Sequence, residues 1–237
     1  MPRTIVTIPT YNERLNIGLL LDAILDLQIP GLECLVVDDS SPDGTAQVVE
    51  EVAARRAGVH LMVRKGQRGR GSAGIAAFQR ALEMGADFVF EMDADFSHDP
   101  RYLPGMVSVL TGNSADMVVG SRFIPGGKDA DRPFSRRMIS EVARRYTRIL
   151  LSLPVEDVTS GYRGFSRELL TAVELGTFRS TGPSILQELM FRARVKGYRM
   201  KEVPIEFVDR TRGQSTLTFK ILVQSLLFVP RLRLRGW

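Results

Sequence analysis

Thr4-Ile5-Val6-Thr7-Ile8-Pro9-Thr10-Tyr11-Asn12-Glu13 opens the chain with an apolar, β-branched run that stops at a proline and a polar cluster. One helix length later, Glu33-Cys34-Leu35-Val36-Val37 does the same and stops at Asp38-Asp39-Ser40-Ser41-Pro42-Asp43-Gly44. Both runs read as strands buried on both faces, the pattern of a parallel sheet. Between them Leu15, Leu19, Leu20, Ala23, Ile24 and Leu27 recur at helical spacing. A second helix is expected from about Asp43 to Arg56, then a strand over Val59 to Val63 and a basic, glycine-rich loop. A helix from about Ser72 to Met84 and a strand over Phe88 to Met92 complete the first half. Repeated βαβ units predict a doubly wound α/β domain. Ligands of such sheets bind beyond the carboxyl ends of the strands. The candidate site is therefore Pro9 to Glu13, Asp38 to Asp43 and Asp93 to Asp99.

The second half is less regular. Asp116 to Gly120 and Met200 to Phe207 read as strands, and Arg136 to Leu151 and Ile185 to Lys196 as helices. With 237 residues, 44% hydrophobic and 25% charged, the chain has the composition of an ordinary globular domain. The longest apolar candidate for a membrane span, Phe219 to Val229, contains Lys220, Gln224 and Ser225 and is shorter than the roughly 18 residues a span needs. Arg3 leads straight into the first strand without a signal-like apolar core, so a cytoplasmic protein is expected. Cys34 is the only cysteine and there are two histidines, which excludes a disulfide framework and disfavours a thiolate or histidine metal cluster. Any metal must sit on oxygens.

The net charge of +5 is unevenly placed. Arg210, Arg212, Lys220, Arg231, Arg233 and Arg235 have no acidic neighbour up to the end, which leaves 26 of the 32 Lys and Arg against all 27 Asp and Glu elsewhere. A basic, partly apolar tail favours an anionic partner. Ile221, Leu222, Leu226, Leu227 and Val229 share a helical face, Pro230 is expected to break that helix, and Arg231-Leu232-Arg233-Leu234-Arg235-Gly236-Trp237 suits a lipid interface. The basic residues are not interleaved with aromatics for base stacking, so no nucleic-acid partner is expected.

Two motifs carry chemistry. Gly69-Arg70-Gly71-Ser72-Ala73-Gly74 fits the dinucleotide fingerprint, with Asp93 downstream. It lies in the third strand unit rather than the first, however, and is crowded by Arg64, Lys65, Arg68 and Arg70. A basic loop whose glycines permit close approach to a ligand phosphate is the better reading. Glu91-Met92-Asp93-Ala94-Asp95-Phe96-Ser97-His98-Asp99 crowds carboxylates at a strand end. Such groups repel one another unless a cation offsets them, and Mg2+ or Mn2+ suits oxygen-only ligation beside a nucleotide diphosphate.

Pro9-Thr10-Tyr11-Asn12-Glu13, Val37 to Thr45, Met92 to His98, Gly120-Ser121-Arg122-Phe123, Thr159-Ser160-Gly161-Tyr162-Arg163 and Val203 to Arg210 stand in the order seen in dolichol-phosphate mannosyltransferases. Over about 215 residues the sequence resembles that family of inverting, GT-A type enzymes of glycosyltransferase family 2. The resemblance implies an α/β, Rossmann-like nucleotide-diphospho-sugar transferase fold with a mostly parallel central sheet. It is expected as a catalytic domain over 1–212, with an amphipathic, basic membrane-surface appendage over 213–237. It implies mannose transfer from GDP-mannose to a polyprenyl phosphate, with a related transferase using another sugar nucleotide, such as UDP-glucose, as the alternative. It further implies a nucleotide pocket of Pro9, Tyr11 and Glu13 with Val37 and Asp39 near the base, a Mg2+ or Mn2+ ion on Asp93 and Asp95, and the Ala94 backbone beside the ribose and diphosphate. Asp95, Arg122, Arg136 and Arg210 are the implied catalytic group, with Arg122 and Arg210 on phosphate and Arg136 on the lipid phosphate. The implied setting is the cytoplasmic face of a membrane, held peripherally or through a membrane-protein anchor subunit. Three positions depart from the family pattern: Thr216 stands where a lysine is usual, Glu141 where an arginine is usual, and Thr181-Gly182-Pro183-Ser184 replaces a Gly-Tyr pair.

Overall fold

Three parallel strands set the architecture. In the computed structural model, which describes residues 1–66, 69–129, 134–180, 182, 184–208 and 228–234 (with the side chains of 70 and 134–140 outside that description), β1 (Thr4–Thr10) lies between β2 (Leu32–Asp38) and β4 (Phe88–Glu91), parallel to both. Parallel neighbours need crossovers, and the expected helices supply them: α1 (Arg14–Leu25), α2 (Thr45–Arg55) before β3 (Val59–Val63), and α3 (Arg70–Glu83). After β4 the chain continues through α4 (Leu103–Thr111), β5 (Met117–Ser121), β6 (Lys128–Asp129), α5 (Phe134–Leu151), β7 (Arg163–Ser166), α6 (Arg167–Ala172), α7 (Ser184–Val195), β8 (Met200–Pro204) and β9 (Glu206–Phe207). The main sheet runs β3-β2-β1-β4-β7-β5-β8, and β6 pairs with β9 in a second, two-stranded sheet.

Side-chain alternation divides the core between the two faces of the sheet. Ile5, Leu35, Val37, Val89, Val119 and Phe165 pack under α3 and α7 with Phe78, Leu189 and Met190. Val6, Ile8, Cys34, Val36, Phe90 and Val118 pack under α1, α2 and α4 with Ile17, Leu20, Ile24, Val49 and Met106. Helices on both faces of a mostly parallel sheet make the expected α/β fold.

Several expectations are corrected. The helical stripe drawn through Leu15 and Leu19 is rotated: those two are 70% and 61% exposed, and α1 buries Asn16, Ile17, Leu20, Leu21 and Ile24. The strand expected over Met200 to Phe207 divides at buried Ile205, whose N–H bonds Ser121 O as the chain passes from the main sheet to the small one. The doubly wound sheet is interrupted by β7, antiparallel to both β4 and β5, which the sequence reading did not include. Gly164 of β7 lies opposite Phe90, and a Cβ there would come 2.3 Å from Phe90 Cε1, so only glycine lets β7 seat. Residues 228–234 are helical, so Pro230 lies within a helical run and does not end it. Val229 and Leu232 of that helix are buried in the core, while Arg231, Arg233 and Leu234 are exposed. Ile221, Leu222, Leu226 and Leu227 lie outside the described residues.

Burial, and next the charge of Glu33, push the Cys34 thiol up to about 12. A neutral thiol inside the core is a poor nucleophile. The expected outcome with Ellman's reagent at pH 8 is no reaction over hours in native protein and release of one thiol equivalent on addition of guanidinium chloride.

Candidate active site

Because β2, β1 and β4 are adjacent and parallel, their carboxyl ends open on one edge, with Thr10 opposite Asp38 and Thr7 opposite Glu91. Beyond each end stands one non-glycine residue in the left-handed region: Asn12 at φ 60°, Ser40 at φ 52° and Phe96 at φ 62°. Such conformations cost free energy and persist only where neighbours over-determine them. For the first two turns the neighbours are hydrogen bonds within and between them. Asp38 is fully buried, and its carboxylate accepts from the Thr10 hydroxyl (2.9 Å) and from the Ser41 N–H (2.8 Å) and hydroxyl (2.5 Å). The Asn12 N–H donates to Ser41 Oγ and the Glu13 N–H to Thr45 Oγ1, both at 2.9 Å. Asp43 accepts from the Thr45 N–H and hydroxyl at the start of α2. Burial alone would push the Asp43 carboxyl up, but these bonds and the Arg14 N–H hold it below the usual range.

The residues expected to line a nucleotide pocket divide by exposure. Tyr11 is exposed, Pro9 and Glu13 are half-buried, and Glu13 accepts from the Asn16 amide at 2.9 Å. Asp39 is buried, with Arg64 Nη1 at 3.0 Å from one carboxylate oxygen and the Gly69 N–H donating to the other at 3.0 Å. Arg64 Nη2 donates to Ser72 Oγ, so Asp39 and Arg64 tie the second turn to the start of α3. Val37, expected beside the base, has its side chain wholly buried in the core under α3. The glycine motif serves packing at two of its positions: a Cβ on Gly71 would meet Gly182 O at 2.5 Å, and one on Gly74 would meet Glu91 Oε1 at 3.2 Å.

The carboxylate turn follows β4. Asp95 is 9% exposed, and its Oδ1 accepts from the Ser97 N–H (3.1 Å) and hydroxyl (2.6 Å). The Asp93 side chain is 24% exposed, and the Asp93 N–H donates to Nδ1 of His98 at 3.0 Å. The 3.9 Å approach of His98 Nδ1 to the Asp93 carboxylate is therefore no ion pair, since a nitrogen that accepts a hydrogen bond carries no proton. Ala94 is buried between the two acids. Among the described residues no group of three or more His, Cys, Asp or Glu is placed to hold a metal. Two carboxylates still fit Mg2+ or Mn2+, which keep several ligand positions for water and substrate phosphates.

On the far side of β4 and β7, Arg122 is 8% exposed and makes a bidentate pair with Asp157: Nε to Oδ2 at 2.8 Å, Nη2 to Oδ1 at 2.9 Å. Nη2 also donates to Thr159 Oγ1 at 2.7 Å, and Nη1 lies 4.0 Å from Asp129. The guanidinium implied to grip a phosphate is thus already answered by a buried carboxylate. Arg163 is fully buried and donates to the carbonyls of Val158, Ser160 and Leu186. Glu141, the reversed charge on α5, accepts two bonds from Arg144 (2.9 and 2.7 Å) and one from Arg145 (2.5 Å). Its negative charge is spent within the helix, and Arg144, with Arg145 after it, holds its carboxyl below the usual range against the cost of burial. Arg136 lies in the first turn of α5 with its side chain outside the described residues, and Arg210, Thr216, Thr181 and Pro183 also lie outside them.

The structure brings together Pro9, Tyr11, Glu13, Asp39, Asp93, Ala94 and Asp95 at one sheet edge. Three participants were missed: Arg64, Asp157 and the role of His98. Arg64 was legible only as one charge in a basic loop, and Asp157 had no signal beyond an acidic residue shortly before Thr159.

This sheet order, with paired carboxylates closing an inner strand, defines a GT-A type transferase fold. The sequence profile of Glycosyl transferase family 2 matches residues 5–173, and the chain belongs to that family. It is 41% identical over 229 residues to the undecaprenyl-phosphate mannosyltransferase of Micrococcus luteus, covering 97% of this chain and 93% of that one. It is 37% identical over 235 residues to the polyprenol monophosphomannose synthase of Mycolicibacterium smegmatis, covering 99% and 88%. Among solved structures it shares its fold with glucosyl-3-phosphoglycerate synthase of Mycobacterium tuberculosis, crystallised with Mn2+, UDP and glucosyl-3-phosphoglycerate, at a TM-score of 0.71 and 19% identity over 98% of this chain and 80% of that one.

Burial alone would raise the Asp157 carboxyl, but the hydrogen bonds and charge of Arg122 hold it below the usual carboxylate range. Removing one partner of such a pair strands the other, and Asp157→Ala is expected to cost about 3–5 kcal/mol in urea unfolding at pH 7. The depressed group contributes its full stabilisation above the ordinary aspartate value of about 3.9 and loses it as pH falls through the lower folded value. The gap between wild type and variant should therefore be flat above about pH 4 and narrow below it.

Proposed function

We propose that this protein transfers mannose from GDP-mannose to the phosphate of a polyprenol, forming polyprenyl phosphate β-mannose and GDP. The observation that carries the reading is the near full-length likeness to a relative named as an undecaprenyl-phosphate mannosyltransferase, joined to a carboxylate turn at the mouth of the sheet. Pro9, Tyr11, Glu13 and Asp39 would bind the nucleotide, with the Ala94 backbone beside the ribose and diphosphate. Asp93 and Asp95 would hold Mg2+ or Mn2+, which when bound supplies positive charge to the departing diphosphate.

The acceptor explains why no general base is needed. A phosphate monoester, with a second pKa of about 6, is already an anionic nucleophile at pH 7. The protein has to hold that oxygen in line with the anomeric carbon and answer the arriving charge. Arg136 and Arg210 are the proposed phosphate contacts. Arg122, locked by Asp157, is proposed to position the wall of the acceptor side and to offer Nη1 to it. The proposed division is a catalytic domain over 1–212 and an appended segment over 213–237, of which Val229 and Leu232 pack into the domain's core.

A lipid acceptor requires access to a bilayer, and no described helix is long and apolar enough to cross one. Support for a surface association comes from α5, where Val142 (66%), Tyr146 (38%) and Ile149 (75%) form an exposed apolar stripe at helical spacing beside exposed Arg145. Exposed Arg231, Arg233 and Leu234 add charge and apolar reach of the same kind.

Radiolabel from GDP-mannose is expected in organic-extractable lipid when polyprenyl phosphate is present, with UDP-glucose giving little. A chelator should abolish transfer, Mn2+ or Mg2+ restore it, and Asp95→Ala lower turnover at least about 100-fold without unfolding; near-native turnover by that variant would refute the site. The protein is also expected to sediment with phosphatidylglycerol vesicles at low salt and less at high salt. Val142→Glu with Ile149→Glu should weaken sedimentation several-fold while leaving GDP binding intact, and unchanged sedimentation would move the contact elsewhere.

A further inference from the structure

His98 is 2% exposed and has no part in the function as proposed, although it sits within the carboxylate turn. It is not placed as a ligand, because its Nδ1 accepts the Asp93 N–H at 3.0 Å. The ring's place is set by what surrounds it. It stacks on Tyr162, centroids 5.1 Å apart at 22°, and meets Phe207 edge to face at 5.8 Å. Tyr162 is fully buried and its hydroxyl donates to Asp99 O at 3.3 Å, so the stacking partner also grips the far end of the turn. Phe207 in turn lies 5.2 Å from the Arg122 guanidinium, which is 5.0 Å from Phe123, and Arg144 of α5 lies 4.5 Å from the same ring. A continuous column of rings and guanidiniums thus runs from α5 to the main chain of Asp93.

The turn needs such a support. Phe96 holds φ 62°, and the local bonds from Ser97 to Asp95 close only its middle. The main chain of Asp93 is bonded from within the turn by the His98 ring. We propose that His98 is a positioning residue for the metal-holding pair: by accepting the Asp93 N–H it fixes where the Asp93 carboxylate stands relative to Asp95. The inference rests on the metal reading above and assigns His98 a role that is neither ligand nor acid–base. Outer partners of this kind typically change metal affinity by 10–100-fold when removed.

Two substitutions separate the accepting atom from the ring. His98→Phe keeps an aromatic ring against Tyr162 and Phe207 but removes the acceptor. His98→Asn gives up the ring but places an amide oxygen where Nδ1 was. Mn2+ affinity is read by electron paramagnetic resonance on the full chain, with whichever of GDP and UDP the unaltered protein binds more tightly, so that no turnover is needed. His98→Phe is expected to weaken Mn2+ binding about tenfold or more, and His98→Asn to return it to within about threefold of wild type, even if its melting temperature is the lower of the two. Transfer assays should show the same ordering in the Mn2+ concentration for half-maximal rate, with the sugar-nucleotide KM at saturating Mn2+ little changed. Wild-type Mn2+ affinity in His98→Phe would overturn the proposal, as would equal losses in both variants, which would make the ring structural only. Independently of any variant, electron spin echo spectra of the unaltered protein with Mn2+ should lack histidine nitrogen modulation, and its presence would make His98 a ligand and overturn the proposal. If the unaltered protein bound no Mn2+ beside either nucleotide, the metal reading itself would fall, a result distinct from all of these.

Discussion

Parallel hydrogen bonding between β2, β1 and β4 is the constraint from which the rest follows. It forces three carboxyl ends onto one edge and leaves each chain to turn away there with its polar groups unmatched by the sheet. The turns match them with one another: Asp38 takes the Thr10 and Ser41 hydroxyls, and Asn12 and Glu13 donate to Ser41 and Thr45. A fully buried Asp38 is costly unless every bond is made, so the first two turns hold one relative arrangement. The third turn is not tied by these bonds and relies on its own contacts through Ser97, His98 and Tyr162.

Charge is handled differently on the two sides of the molecule. At the carboxyl ends of the central strands, Tyr11 is exposed and Glu13 and Asp93 are half-buried. Around Arg122 and α5, charges are paired inside the protein: Arg122 with Asp157, Arg144 with Glu141 and Glu156, Arg148 with Glu156. Glu141 in place of the usual arginine does not leave a bare negative charge on α5, because two arginines one turn later absorb it.

The elements that could be read from the sequence are those with a strong local pattern. β1 to β4 and the helices between them are short β-branched runs and amphipathic stretches, and each appears within a few residues of its expected bounds. β7 could not be read, because Arg163-Gly164-Phe165-Ser166 has no alternation and its glycine is explained only by a ring on a strand far away in sequence. The rotation of α1 was equally hidden, since leucines at 15, 19, 20 and 21 allow more than one helical face. At the site, Asp93 and Asp95 were legible because crowded carboxylates need a chemical reason. Asp157 was not, because a pair spanning 35 residues leaves no mark in either local sequence.

The place of β7 bears on how the chain comes to be folded as it is made. β4 pairs on one side with β1, which is complete early, and on the other with β7, which follows it by some two helices and two strands. Until Arg163–Ser166 leaves the ribosome, β4 is an open edge with the Phe90 ring awaiting Gly164. An unpaired apolar edge is a site for wrong partners. Synthesis of the middle third of this chain is therefore the interval in which a nascent half-sheet most needs shelter, and a pause there lengthens its exposure.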